Sequence, residues 1–213
     1  MHRTIVERLL DLLFPDKCLG CGRYAGLLCA VCRSSLQPYP PDDYLPDALD
    51  AAEVACIYDP TVQAVIHALK YRKQRRAALP LGDLLAAHLR ANPLPGDALI
   101  AVPLHAERLA ERGFNQAEEL ARRLARRSGL PLLSTGLARC RDTGHQARLS
   151  RRERQANIQA AFEWQAAGPP PARVLLVDDV LTTGATLAAC AEALRAAGAR
   201  EVRAVAVARS ILA

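Results

Sequence analysis

Lysine is scarce in this chain. Lys17, Lys70 and Lys73 are the only three among 28 basic residues, so arginine carries nearly all of the positive charge. The formal charge of +6 and the pI near 9.1 therefore reside in guanidinium forks, which grip phosphate oxygens in pairs. A GC-rich coding sequence would produce the same excess of Ala, Arg, Leu and Pro, so local clusters weigh more than the total. Long apolar runs are missing too. Residues 4–14 place Ile5, Val6, Leu9, Leu10, Leu12 and Leu13 between Glu7, Arg8 and Asp11, which predicts an amphipathic helix rather than a signal peptide or a membrane span. No other window is longer, and the expectation is a cytoplasmic protein with reduced cysteines. Two nucleotide motifs are absent: there is no Gly-Lys-[Ser/Thr] Walker ending and no dinucleotide-binding glycine triplet. No internal repeat is visible. What remains is 213 residues, 51% hydrophobic and 23% charged, enough for one α/β domain with a small appendage.

The densest chemistry lies in residues 174–186, VLLVDDVLTTGAT. Val174, Leu175, Leu176 and Val177 form a run too short for a buried helix and β-branched enough for a central strand. It ends on Asp178 and Asp179. Small hydroxylated residues follow, and then LAACAEALRAAG, a helix-forming stretch with Gly198 as a C-terminal stop. Strand, small-residue turn and helix together aim backbone N–H groups and a helix dipole at one anion. Adjacent acids before such a cradle suit a sugar phosphate. The carboxylates accept from vicinal ribose hydroxyls, while Thr182, Thr183, Gly184, Ala185 and Thr186 hold a 5′-phosphate. The plainer alternative is a buried strand whose acids cap the next helix. A response-regulator receiver also carries paired acids after a strand, but near its start. The segment resembles the thirteen-residue signature with which type I phosphoribosyltransferases bind phosphoribosyl pyrophosphate (PRPP).

Near the start stand Cys18-Leu-Gly-Cys21 and Cys29-Ala-Val-Cys32. Two CxxC pairs in a reducing compartment predict a closed four-thiolate zinc site, structural because it leaves no position for substrate; redox-active or merely buried thiols are the alternative. Cys56, Cys140 and Cys190 are isolated and read as core. Residues 37–50, rich in Pro and Asp, read as a linker, which divides the chain into a zinc module at 1–40 and a main domain at 41–213.

Within the main domain, 53–58 reads as a strand, and 61–69 and 81–90 as helices. Between the helices, Lys70, Tyr71 and Arg72 open a basic cluster. It is either a solvated helix end or a contact for substrate or DNA in which Tyr71 stacks on a base. Residues 98–104 read as a second buried strand, followed by His105, Arg108 and Arg112-Gly113-Phe114-Asn115-Gln116, then a helix through Arg127. A third strand is expected over 131–138. The polar stretch 139–162 lies between it and the strand at 174. There Ser150 and Glu153 form a capping box, and Gln146, Arg151, Arg152, Arg154 and Asn157 are either substrate or DNA contacts or part of a solvated arginine-rich helix. Residues 201–208 complete a right-handed β-α-β unit.

Taken in order, the CxxC pairs, LKYR, PLHAERLAERGFNQ, QARLSRRERQAN and DDVLTTGAT are similar to the ComF family of competence-related proteins over nearly the whole chain. The resemblance implies an α/β fold of type I phosphoribosyltransferase kind, a mostly parallel sheet with helices on both faces plus a small N-terminal zinc-binding module. It implies a pyrophosphate loop over 103–116, with Arg112 and the Gly113 amide as donors and His105 as a further candidate, and a hood over 139–162. It also implies Asp178 and Asp179 as the acids beside the reacting ribose, structural Zn²⁺ on the four cysteines, and Mg²⁺ held mainly by PRPP oxygens and water. The implied role is DNA uptake in natural transformation, with single-stranded DNA and a DNA-uptake helicase as partners. An active phosphoribosyltransferase of nucleotide metabolism is the alternative, although no segment reads as an acceptor pocket.

Overall fold

The computed structural model describes residues 16–41, 44–140 and 161–210. The expected helix at 4–14 and the residues Gln146, Ser150, Arg151, Arg152, Glu153, Arg154 and Asn157 lie outside them.

Short helix α1 (Ala30–Ser34) belongs to the cysteine knuckle. Strand β1 (Ala51–Ile57) then leads into α2 (Pro60–Tyr71), whose start is written in the chain: Pro60 occupies the first turn, and the Asp59 carboxylate accepts from the Val62 N–H at 2.8 Å. A single 3₁₀ turn (Arg75–Ala77) joins α2 to α3 (Ala78–Ala91). Next come β2 (Ala98–Ala101), α4 (Ala106–Arg112), α5 (Gln116–Ser128), β3 (Leu132–Leu133), β4 (Leu137–Arg139), β5 (Phe162–Trp164), β6 (Arg173–Val180), α6 (Ala185–Ala196) and β7 (Glu201–Arg209). Five strands form one sheet in the order β1-β7-β6-β2-β3, with every neighbouring pair parallel.

A parallel sheet must be covered on both faces, and strand alternation decides which residue meets which cover. Leu175, Val177, Val205 and Val207 pack with Val62, Ile66 and Leu69 of α2, Leu81 and Leu85 of α3, and Leu120 and Leu124 of α5. Val174, Leu176, Ala204 and Ala206 face the other way, toward Leu187, Cys190 and Leu194 of α6 and toward the β4–β5 hairpin.

Two expectations need correction. The expected strand at 131–138 is two strands in different sheets. Leu132–Leu133 joins the parallel sheet beside β2, whereas Leu137–Arg139 pairs antiparallel with Phe162–Trp164. Gly136, at φ 115°, turns the chain between them. The second strand stops at Ala101 rather than reaching Leu104. The segment at 37–50 is bonded to the main domain at both ends: the Ile57 N–H donates to the Gln37 carbonyl and the Asp50 N–H to the Val202 carbonyl. The knuckle itself docks through Leu19, Leu28 and Leu36 against the core shared by α2, α3 and α5.

Close approach of α3 and α5 depends on one glycine. A Cβ at Gly82 would lie 2.5 Å from Arg123 Cβ and 2.6 Å from its Cγ. These atoms sit at the root of a side chain held by a two-pronged ion pair with Asp83, at 2.7 and 2.9 Å. Gly82→Ala is therefore expected to cost about 1–3 kcal/mol by overpacking, reversing the ~1 kcal/mol that alanine normally contributes in a helix. A thermal midpoint that rises would show the two helices free to move apart.

Candidate functional site

The carboxyl ends of β6 and β2 carry the residues singled out above. β6 does not end before its acids: Asp178 pairs with Ala206 and Val180 with Ala208 in regular register. Both acids are consequently still in the strand, and successive strand residues point to opposite faces. The expectation that both carboxylates enter one ribose cup is corrected on this point.

Asp179 falls on the α2/α5 face and is 2% exposed. Its carboxylate is ion-paired with the Lys70 ammonium and accepts from Gln116 Nε2 at 3.1 Å. The Gln116 amide oxygen in turn accepts from the Arg112 guanidinium. Arg112 lies 5.9 Å over the ring of Tyr71, whose other neighbour is His67 at 4.6 Å between ring centroids. A connected polar chain thus runs from the buried acid to an aromatic side chain that is 64% exposed. Burial acts to lower the Lys70 pKa, but the Asp179 carboxylate outweighs it and holds the ammonium above its usual value. For Arg112, burial prevails and its pKa falls.

Asp178 is half-buried and belongs to the α6 face. Its own carboxylate accepts from the Asp179 N–H at 2.8 Å. Burial first, and the neighbouring Asp179 charge second, push its carboxyl well above the ordinary range. Burial and the Asp178 charge likewise push the Cys190 thiol up.

After β6 the chain turns through Thr182, Thr183 and Gly184 into α6. Gly184 adopts φ 70° as the residue before the helix, a left-handed value that glycine reaches without strain. Among the described residues, the N–H groups of Thr182 through Thr186 donate to no backbone carbonyl. Thr182 and Thr183 are exposed, Ala185 and Thr186 partly so, and Gly184 between them is buried. Among the described residues, the loop therefore offers open donors at Thr182, Thr183, Ala185 and Thr186, at the N-terminus of a twelve-residue helix, as a phosphate cradle requires.

Elsewhere the sequence expectations fare unevenly. Gly113 ends α4 at φ 81° and its N–H already donates to the Leu109 carbonyl at 2.8 Å, so the expected anion-donating amide is occupied. His105 precedes α4, and its Nδ1 is buried without a hydrogen-bond partner among the described residues. Tyr71 and Arg72 are exposed, which a solvated helix end and a contact surface both predict, whereas Lys70 is paired with Asp179. Gln116 and Tyr44 were not singled out as site residues. Gln116 carried a faint signal, its place at the end of the RGFNQ segment, and its burial at 6% exposure is visible only in the structure. Tyr44, which donates from its hydroxyl to the Thr183 carbonyl, carried none.

The four N-terminal cysteines converge. Their Sγ atoms lie within 4.8 Å of one another, and Cys21 and Cys29 are 3.7 Å apart. Tetrahedral zinc with Zn–S bonds of about 2.3 Å separates its sulfurs by about 3.8 Å. Backbone N–H groups of Cys29 and Cys32 point at Cys18 Sγ and Cys29 Sγ, both at 3.4 Å, the donors a thiolate set attracts. Cys18, Cys21, Cys29 and Cys32 fit a structural metal.

Several known proteins are similar to this chain. A phosphoribosyl transferase domain model matches residues 109–211. The "DNA utilization protein YhgH" of Salmonella typhi is 34% identical over 192 residues, 87% of this chain and 81% of that protein. "Competence protein F" of Haemophilus influenzae is 38% identical over 116 residues, 54% of this chain and 51% of that protein. Among solved structures, a purine phosphoribosyltransferase from Pyrococcus horikoshii Ot3 aligns over 62% of this chain and 82% of that one, at 20% identity and a TM-score of 0.37.

Proposed function

The chain belongs to the ComF family of competence-related, phosphoribosyltransferase-like proteins, and from that premise we propose that it binds PRPP or a ribose 5-phosphate group in the service of DNA uptake. The observation that carries this reading is the run of amides at 182–186 with no backbone acceptor among the described residues, set at the start of α6 and directly after the two acids of the central strand. The 5′-phosphate takes the amides and the hydroxyls of Thr182, Thr183 and Thr186. Asp178, the less buried acid, lies nearest to an incoming ribose. Arg112 and Lys70 supply positive charge on the pyrophosphate side.

Magnesium binds chiefly through PRPP oxygens and water, and when bound it would neutralise the pyrophosphate leaving group. The protein's share is to orient the ribose, exclude water and keep negative charge near the anomeric carbon. Zinc on the four cysteines is structural. Single-stranded DNA meets the face on which Tyr71 and Arg72 are displayed, with Arg151, Arg152 and Arg154 as further phosphate contacts. Tyr71 stacks on a base while the guanidinium groups follow the backbone. The relatives' names, DNA utilization and competence proteins, point the same way.

Calorimetric titration of the full chain tests both halves. PRPP with magnesium is expected to bind stoichiometrically. Binding of an oligonucleotide should weaken with log[salt] at a slope of about −0.7 per phosphate neutralised, and further with Tyr71→Ala and Arg72→Ala. No heat with PRPP, or an oligonucleotide affinity indifferent to salt, would sink the corresponding half.

A further inference from the structure

The segment that joins the cysteine knuckle to the sheet lies on the anion loop. The Tyr44 hydroxyl donates to the Thr183 carbonyl, a partner 139 residues away. Pro46 fills the space a side chain at Gly184 would need, since a Cβ there would lie 2.4 Å from Pro46 Cγ and 2.6 Å from its Cβ. Beneath the Tyr44 ring is Arg209, the last residue of β7, 5% exposed and with its guanidinium 3.9 Å from the ring centroid. The same guanidinium lies 5.5 Å from Tyr39.

The strap is fastened at both ends. Upstream, Gln37 accepts from Ile57 at 2.9 Å. Downstream, Arg195 donates to the Ala48 carbonyl at 2.9 Å and to the Asp50 carboxylate at 2.6 Å, and Asp50 also accepts from the Val202 N–H at 2.7 Å.

Burial does not explain the hydroxyl's partner. Tyr44 is 41% exposed, so water would serve it equally well. Its effect falls on the next peptide unit. In a trans peptide the C=O and N–H point to opposite sides. A donor fixed on the Thr183 carbonyl therefore fixes the Gly184 N–H, aimed away from the strap, and polarises it into a better donor. That N–H has no backbone acceptor among the described residues.

We infer that Tyr44 is a positioning residue of the anion loop: it locks the Thr183–Gly184 peptide so that the Gly184 N–H is presented to a phosphate, making the knuckle's connecting segment part of the ribose 5-phosphate site. This rests on the reading of the loop as a phosphate cradle. Gly184 is glycine both because the turn needs a positive φ and because Pro46 occupies the place of its side chain.

The test is calorimetry on the full chain, wild type and Tyr44→Phe, with ribose 5-phosphate and, separately, with magnesium pyrophosphate. Loss of the hydroxyl alone is expected to weaken ribose 5-phosphate by roughly tenfold, ~1.4 kcal/mol, and to leave pyrophosphate affinity unchanged, because the hydroxyl's partner is the Thr183 carbonyl in the loop at 182–186 and not a residue of the 103–116 segment. Equal losses for both ligands would mean a merely structural strap and overturn the inference. So would an unchanged or improved affinity for ribose 5-phosphate, the latter because the strap would then be occluding the loop. A wild-type protein that binds pyrophosphate but no ribose 5-phosphate would overturn the phosphate cradle itself, and the role of Tyr44 with it.

Discussion

Replacing Asp178 and Asp179 by asparagine one at a time is expected to move the stability of the protein in opposite directions. Burial first, and the neighbouring Asp179 charge second, raise the Asp178 pKa, so the folded protein disfavours the charged form of this side chain. Asparagine keeps the shape and removes the charge, so Asp178→Asn should raise the thermal midpoint. Asp179→Asn instead removes the counter-ion of Lys70 and leaves a single acceptor oxygen where Lys70 and Gln116 now use one each. Breaking a fully buried pair costs about 3–5 kcal/mol, and because the Lys70 side chain keeps 23% of its exposure the expected loss here is about 1–3 kcal/mol.

The pH dependence has a definite sign. A carboxyl whose folded pKa is raised contributes stability that is fully present below its unfolded pKa, about 3.9, and lost as pH rises through its folded value. The advantage of Asp178→Asn over the wild type should therefore exist at neutral pH and vanish in acid. Thermal unfolding of both variants across that range, beside PRPP titration, checks it. Both variants should lose PRPP affinity, but only Asp178→Asn should do so while becoming more stable, as expected where function holds charges together at a cost to the fold. A destabilised Asp178→Asn would show that the two acids do not occupy the different environments assigned to them.

Removing the metal from the cysteine knuckle should be the second large perturbation. Structural zinc contributes about 10–16 kcal/mol of apparent binding energy in isolated finger peptides, against a total stability of about 5–15 kcal/mol for a typical domain. A knuckle with so little core of its own cannot keep its turns without the ion. Its loss would release Leu19, Leu28 and Leu36 from the main core and the Asp16–Arg76 pair at 2.9 Å that ties the knuckle to the 3₁₀ turn. The purified chain is expected to carry one zinc per molecule. A chelator, or Cys29→Ser, should lower the thermal midpoint and open the knuckle to protease ahead of the sheet. A metal-free chain with an unchanged midpoint would return the four cysteines to the status of buried thiols.

The contrast between these two sites shows what kind of information a sequence holds. Four cysteines in two CxxC pairs announce their chemistry through spacing alone, because each pair's geometry is local. The same holds for β6, its turn and α6: an apolar run, a small-residue bend and a helix-forming stretch are each read from neighbours in the chain. Gly113 illustrates the boundary. Its place in the RGFNQ segment was legible, but the use of its N–H as a helix cap to Leu109 depended on where α4 happened to stop. The expected strand at 131–138 failed for a related reason. Apolar residues on either side of Gly136 look continuous in one dimension, yet one pair extends the parallel sheet and the other starts a hairpin.

By itself, then, the amino-acid order determined the α/β class, the thiolate cluster and the strand, turn and helix at 174–198, because each shows in the spacing and periodicity of neighbouring residues, and it determined the family through the order of several such segments along the chain. Tertiary structure alone decided that Asp178 and Asp179 part company across the sheet, that Lys70 and Gln116 bind only the second of them, and that Tyr44 reaches Thr183. Those outcomes depend on where β6 ends and on which distant segments the five-stranded topology carries to its edge, and neither has a periodicity or a spacing to read.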